Sequence, residues 1–179
     1  DPELLAYCQL LSGDRQAFEA TCKQEVNMLR RLDNPSVGQL RITVLITSLS
    51  PSADYDRQEI LDWAKRCVEL ERNKFTLRAL GEAHYRFGEF QQALAVFSEI
   101  DDEPDAEQNG YAFQRALAYQ AAGELTEAHR WYDFGTSKFS EARVGDAPAA
   151  WAIHHWAFVN AWKQVADQVF ADKQTAIEI

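Results

Sequence analysis

Two look-alike segments, Leu77–Phe97 and Ala112–Tyr132, constrain what this chain can fold into more than any other feature. Gly88 and Gly123, Ala93 and Ala128, and Phe97 and Tyr132 are each separated by 35 residues. A fixed period near this length predicts stacked helical hairpins, each burying its apolar face on the next, rather than a single compact core. Arrays of this kind usually present binding surfaces and rarely catalyse reactions.

Composition agrees with a packed helical chain. Of 179 residues, 46% are hydrophobic, and five Trp, six Tyr and ten Phe argue against disorder. The five Pro fall between apolar-periodic stretches, as expected where Pro inside a helix would lose a hydrogen bond and clash with the preceding turn. The net charge of −10, from 28 acidic and 18 basic residues, disfavours nucleic acid and anionic membranes. No apolar run approaches the roughly 18 to 20 residues of a membrane span. Cys8, Cys22 and Cys67 are odd in number, lack Cys-x-x-Cys spacing and read as buried, reduced thiols of a cytoplasmic protein. Beginning at Asp1-Pro2 in helical pattern, without Met or signal peptide, the chain reads as a piece of a longer protein.

Helix punctuation organises the rest. A first helix opens at Asp1 or Pro2, with apolar Leu4, Leu5, Cys8 and Leu11, and ends at Ser12-Gly13-Asp14. Asp14 caps a second, through Ala17, Phe18, Cys22, Val26 and Leu29. Asp33 to Ser36 is a stop and restart, with Pro35 at a first-turn position. Residues 40–49 are rich in β-branched side chains, yet Leu40, Val44 and Thr47 keep helical spacing, so a helix is expected. After a loop at 50–54, Ile60, Trp63, Ala64, Cys67 and Val68 predict an amphipathic helix, with Asp62 and Arg66 placed for an i,i+4 ion pair. The hairpins at 73–100 and 108–139 flank an acidic loop, Asp101–Glu107, which lacks the ligand spacing and central Gly of a Ca²⁺ loop. Beyond a linker at 144–148, Trp151, His155, Phe158, Trp162, Val165 and Val169 form one stripe of a closing helix.

The two hairpins resemble tetratricopeptide repeats. Leu77, Leu80 and Gly81 match the large, large, small signature of the first helix; Gly88 matches the turn, Ala93 the small position of the second helix and Phe97 its aromatic. Ala116, Tyr119, Gly123, Ala128 and Tyr132 repeat the set. His84 stands where the motif has an aromatic, and Gly135 replaces the usual Ala. The resemblance covers 73–139, while 1–72 reads as two degenerate hairpins and 147–179 as the closing segment of a single 1–179 domain. It implies an all-α superhelix, a right-handed solenoid of helical hairpins. The element order also resembles helical tails that follow Ser/Thr kinase or WD-repeat regions in large bacterial proteins.

No enzyme chemistry is legible. Adjacent His154 and His155 point about 100° apart on a helix and cannot converge on one metal. His84 and His129 have no Cys/His cluster nearby, and nucleophile-elbow, phosphate-loop and dinucleotide fingerprints are absent. Neither catalytic residues, nor a metal, nor a cofactor is expected. The resemblance instead implies a concave groove lined by first helices, holding Phe75, Arg78, Ala79, Glu82, Tyr85 and Arg86, then Phe113, Gln114, Leu117 and Gln120. Exposed aromatic and Arg side chains there would anchor a peptide or protein segment; the alternative is that Phe113 and Leu117 pack on the closing helix. Glu82 argues against a clamp for a C-terminal carboxylate, and the net charge favours a basic or mixed-charge partner. On this reading Arg78→Glu with Phe113→Ala abolishes partner capture and spares the fold. The competing roles are a regulatory tail touching other domains of a parent chain, and homo-oligomerisation through the aromatic closing helix.

Overall fold

The computed structural model describes the backbone of residues 1–50, 54–100, 108–141 and 150–177, and the side chains of 1–50, 54–100, 111–138 and 157–171. The described residues form nine helices and no strand: α1 (Pro2–Leu11), α2 (Arg15–Leu29), α3 (Val37–Leu49), α4 (Arg57–Leu70), α5 (Lys74–Arg86), α6 (Phe90–Ser98), α7 (Gln108–Ala122), α8 (Leu125–Glu141) and α9 (Ala150–Ile177). They divide into two compact units, Asp1–Asp101 and Asp102–Ile179, so one of the look-alike hairpins falls in each. The acidic loop and the 144–148 linker lie outside the described residues.

Three hairpins close in the same way. Gly13, Gly88 and Gly123 have φ of 80°, 78° and 86°, a left-handed conformation that costs a residue with a Cβ and costs Gly nothing comparable. The amides of Asp14, Glu89 and Glu124 then donate to the carbonyls of Gln9, His84 and Tyr119, each at 2.9 Å. The Gly amides donate to Leu10, Tyr85 and Gln120 at 3.1 to 3.2 Å. This double closure satisfies carbonyls that the end of a helix would otherwise leave open. Thus α1 and α2 share the turn chemistry of the two clear repeats. The α3–α4 hairpin lacks it and uses the longer connection.

In the first unit α3 is the central helix, packing on α1, α2, α4 and α5. Its start is fixed by a capping box: Ser36 Oγ accepts from Gln39 N while Gln39 Oε1 accepts from Ser36 N. Ser36, not Pro35, is therefore the cap, and Pro35 sits just before it. Burial on nearly all sides explains why β-branched residues are tolerated here. Leu40 and Thr43 through Ser48 are all buried, and tertiary packing outweighs a propensity loss of tenths of a kcal/mol each. The hydroxyls of Thr47 and Ser48 donate back to Thr43 and Val44 carbonyls at 2.7 and 2.8 Å, so their burial leaves no orphaned donor. Around them Val26, Val44, Leu45, Ile60, Leu61, Ala64, Ala79 and Ala83 form the core, flanked by Trp63 and Phe87.

Three local expectations change. The buried face of α1 carries Glu3, Ala6 and Tyr7, whereas Leu5 is 52% exposed and Cys8 lies at the surface. The stripe predicted there is therefore only partly inward: Leu4 and Leu11 are half-buried beside the buried face, Leu5 faces out, and Cys8 is not a buried thiol. Cys22 and Cys67 are buried, and desolvation pushes their thiols up to about 12 and about 11. On α4 the Asp62–Arg66 pair is not made: Asp62 accepts from Gln58 at 2.7 Å, and Arg66 pairs with Glu69 at 3.2 Å. Exposed i,i+3 and i,i+4 pairs differ by only tenths of a kcal/mol, roughly, so neighbours compete evenly for each charge.

In the second unit α7 packs on α8 and α9. Residues 111–118 of α7 are buried without interruption. On α9 the stripe holds at Phe158 and Trp162, then follows Ala166 and Phe170 rather than Val165 and Val169, which are half-buried. Phe170 stacks on Tyr132 at 4.5 Å and meets His129 edge-on at 5.2 Å, which fixes that register. The side chains of Trp151, His154 and His155 lie outside the described residues.

Candidate functional site

The small positions of the two look-alike segments lie in the interior. Ala93, Ala116 and Ala128 have no exposure. A Cβ built on Gly81 would lie 2.6 Å from Phe97 Cδ1 and 2.8 Å from Cζ, so α5 and α6 approach as closely as they do because position 81 has no side chain. In the other unit a Cβ on Gly135 would meet Ala112 Cβ and Phe113 Cε1 at 3.1 Å.

The ten residues expected in a groove divide sharply. On α5, Phe75 is 40% exposed with Lys74 Nζ 5.5 Å from its ring centroid. Tyr85 and Arg86 are half-buried; the Tyr85 ring lies 5.9 Å from that of Phe90, and burial raises its phenol above the ordinary value. Ala79 belongs to the core. Arg78 and Glu82 are 6% and 0% exposed, so they are not surface anchors. On α7, Phe113, Gln114, Leu117 and Gln120 are all buried. Phe113 packs on α8, against Gly135 and with the Tyr132 ring 6.1 Å away. Packing, not exposure, is therefore the outcome at Phe113 and Leu117, and α8 supplies neighbours of Phe113. Substituting Arg78 and Phe113 together would consequently strike the interior, which argues against this pair sparing the fold.

Arg78 belongs to a buried polar cluster that sequence periodicity did not disclose. Glu3 of α1 accepts from the Tyr7 hydroxyl at 3.0 Å and lies 3.6 Å from Arg41 Nη2 of α3 and 4.0 Å from Arg78 Nη2 of α5. Arg78 Nε lies 3.3 Å from Glu82 Oε1, one turn along its own helix. Two carboxylates thus face two guanidiniums, a balance that burial requires. Burial, then the Glu3 carboxylate, hold the Tyr7 phenol well above its ordinary value. The only advance signal was chemical: Glu3 and Tyr7 are an i,i+4 pair able to hydrogen-bond on one face.

His84, on the far end of α5, pairs with Glu89, which also receives Arg57 of α4. These two partners, His84 first, hold the Glu89 carboxylate below its ordinary value. In the second unit Tyr132 donates to Asp167 Oδ1 at 2.8 Å while Lys163 Nζ lies 2.6 Å from Oδ2. Burial and that carboxylate push the Tyr132 phenol up to about 12. Arg115 stacks 4.4 Å from the Trp131 ring centroid. Among the described residues no group of three or more His, Cys, Asp or Glu could hold a metal ion, and no helix is long and apolar enough to cross a membrane. Comparison with protein-family models, with curated proteins and with solved structures returns no match.

Proposed function

We propose that the chain is a non-catalytic protein–protein interaction or scaffold domain built of tetratricopeptide-like hairpins. In this reading it takes a peptide or protein segment at the two accessible ends of α5, on either side of the largely buried stretch 76–83. The observation that carries it is the threefold recurrence of one hairpin closure at Gly13, Gly88 and Gly123. Repeated hairpins are a scaffold whose surfaces serve recognition. Phe75, Tyr85 and Arg86 supply the aromatic and guanidinium chemistry that anchors interfaces, and they remain accessible or half-accessible. The four α7 positions and the Arg78–Glu82 pair drop out of the contact set because they are interior. A net charge of −10 favours a basic or mixed-charge segment through long-range steering.

The test is a peptide array spanning basic, mixed-charge and acidic sequences, probed with the wild-type chain and with Phe75→Ala/Arg86→Ala. Binding to the basic or mixed classes that weakens at least about tenfold in the variant, with unchanged circular dichroism, supports the reading. Binding that ignores both substitutions would sink the α5 surface.

A further inference from the structure

At each of the three left-handed turns the residue after Gly carries a carboxylate: Asp14, Glu89 and Glu124. In the first turn the Asp14 side chain caps α2, accepting from Ala17 N at 3.0 Å. Glu89 stands at the same place before α6, yet makes no side-chain capping bond. Its carboxylate turns back instead, one oxygen to His84 Nδ1 of α5 and the other to Arg57 of α4. The residue whose carbonyl closes the turn is Gln9 in the first and Tyr119 in the third, so of the three only the α5–α6 turn has an imidazole there.

Imidazole is the side chain that ordinarily changes charge between about pH 5 and 8, and when protonated both ring nitrogens donate. Helix α6 carries no charged side chain, and α3 carries only Arg41, which lies against Glu3. At the start of α4, Arg57 is engaged with Glu89 itself, Asp56 caps the helix and Glu59 pairs with Arg30. On α5, Glu82 lies against Arg78, and Tyr85 and Arg86 follow His84 directly. The His84 and Glu89 side chains are 12% and 24% exposed, sheltered enough for a charge-assisted bond to exceed a neutral one.

We propose that the α5–α6 turn is a proton-operated switch in which the Glu89 carboxylate has two seats. With His84 protonated, it is held on the imidazolium and Arg57. As His84 loses its proton to solvent, the carboxylate passes to the α6 N-terminus and accepts from Gln92 N, the amide that corresponds to Ala17 N in the first turn. Tyr85 and Arg86 lie inside the span that the pair closes, so the charge of His84 sets the conformation of that end of α5. This consequence for recognition rests on the reading of α5 proposed above, whereas the switch itself does not.

Backbone and imidazole NMR of the intact wild-type chain, from about pH 5 to about pH 8.5, tests the switch without any variant. The Gln92 amide should move downfield as His84 deprotonates, the two sharing one midpoint, while the Ala17 amide stays in place. In Glu89→Gln the Gln92 amide should lose this response. A cycle of His84→Gln, Glu89→Gln and the double variant then reads the coupling in urea unfolding. It should be about tenfold at about pH 5.5 and at most about threefold at about pH 8. A Gln92 amide indifferent to His84, or one that still follows it in Glu89→Gln, overturns the switch, and so does a coupling equal at the two pH values. Absence of peptide binding at Phe75, Tyr85 and Arg86, with the expected Gln92 response and coupling in hand, would strike the recognition reading and leave the switch supported.

Discussion

The Phe97 ring of α6 lies against the bare Cα of Gly81 on α5, leaving no room for a Cβ. Replacing a helix-interior Gly by Ala normally gains about 1 kcal/mol of helix propensity. Here the added methyl must displace a ring that is 1% exposed, and overpacking costs about 1–3 kcal/mol. Gly81→Ala should therefore destabilise the chain in denaturant unfolding, and Phe97→Leu should restore part of the loss in the double variant. Gly135 is the contrasting case. Its nearest neighbours need give only tenths of an ångström, so Gly135→Ala should fall within about 1 kcal/mol of wild type.

Arg78→Glu would set a third carboxylate beside Glu3 and Glu82 in a buried cluster. Breaking a buried pair costs about 3–5 kcal/mol, and Phe113→Ala opens a cavity costing a similar amount, about 3–5 kcal/mol. The double variant should lose most of its cooperative thermal transition. A melt indistinguishable from wild type would refute the burial of these two side chains.

How much of this was legible beforehand depends on where the determining interaction lies. Gly13, Gly88 and Gly123 could be read because a left-handed turn demands Gly locally, and the burial of Ala93, Ala116 and Ala128 because small residues recur at fixed spacing on an inner helix face. The face of α1 could not. Its apolar period points to Leu4, Leu5, Cys8 and Leu11, but the face it buries carries Ala6, Tyr7 and Glu3, the last beside Arg41 and Arg78, charges distant in sequence. The exposure of Arg78 and Phe113 was misjudged for the same reason: a repeat motif specifies which helix face is inner, not whether neighbours close over it.

Glu89 makes stability depend on pH in a defined direction. Its carboxylate is held below the ordinary 4.5 by His84 and Arg57, so the folded state binds that proton more weakly than the unfolded chain. The stabilisation is complete above the unfolded value and is lost as pH falls through the lower folded value. The melting-temperature gap between wild type and Glu89→Gln should be present at about pH 6 and shrink towards about pH 3. A gap that widens on acidification would contradict the pairing.

Tyr132 joins α8 to α9 in two ways, by stacking on Phe170 and by donating to Asp167. Tyr132→Phe keeps the first and removes the second. The loss should be about 1–2 kcal/mol, since the acceptor is charged and retains Lys163. Tyr132→Ala removes both and should cost about 3 kcal/mol or more. Equal losses in urea unfolding would mean that the hydroxyl contact carries the whole interaction.

The central claim is that the accessible ends of α5, carrying Phe75 and then Tyr85 and Arg86, serve recognition, and a backbone NMR titration with an array-selected basic or mixed-charge peptide tests it most directly. The account predicts saturable shifts concentrated at Phe75, Tyr85 and Arg86, with the buried α7 positions Phe113 and Leu117 little affected. Saturable shifts centred on other helices, with α5 silent, would contradict it.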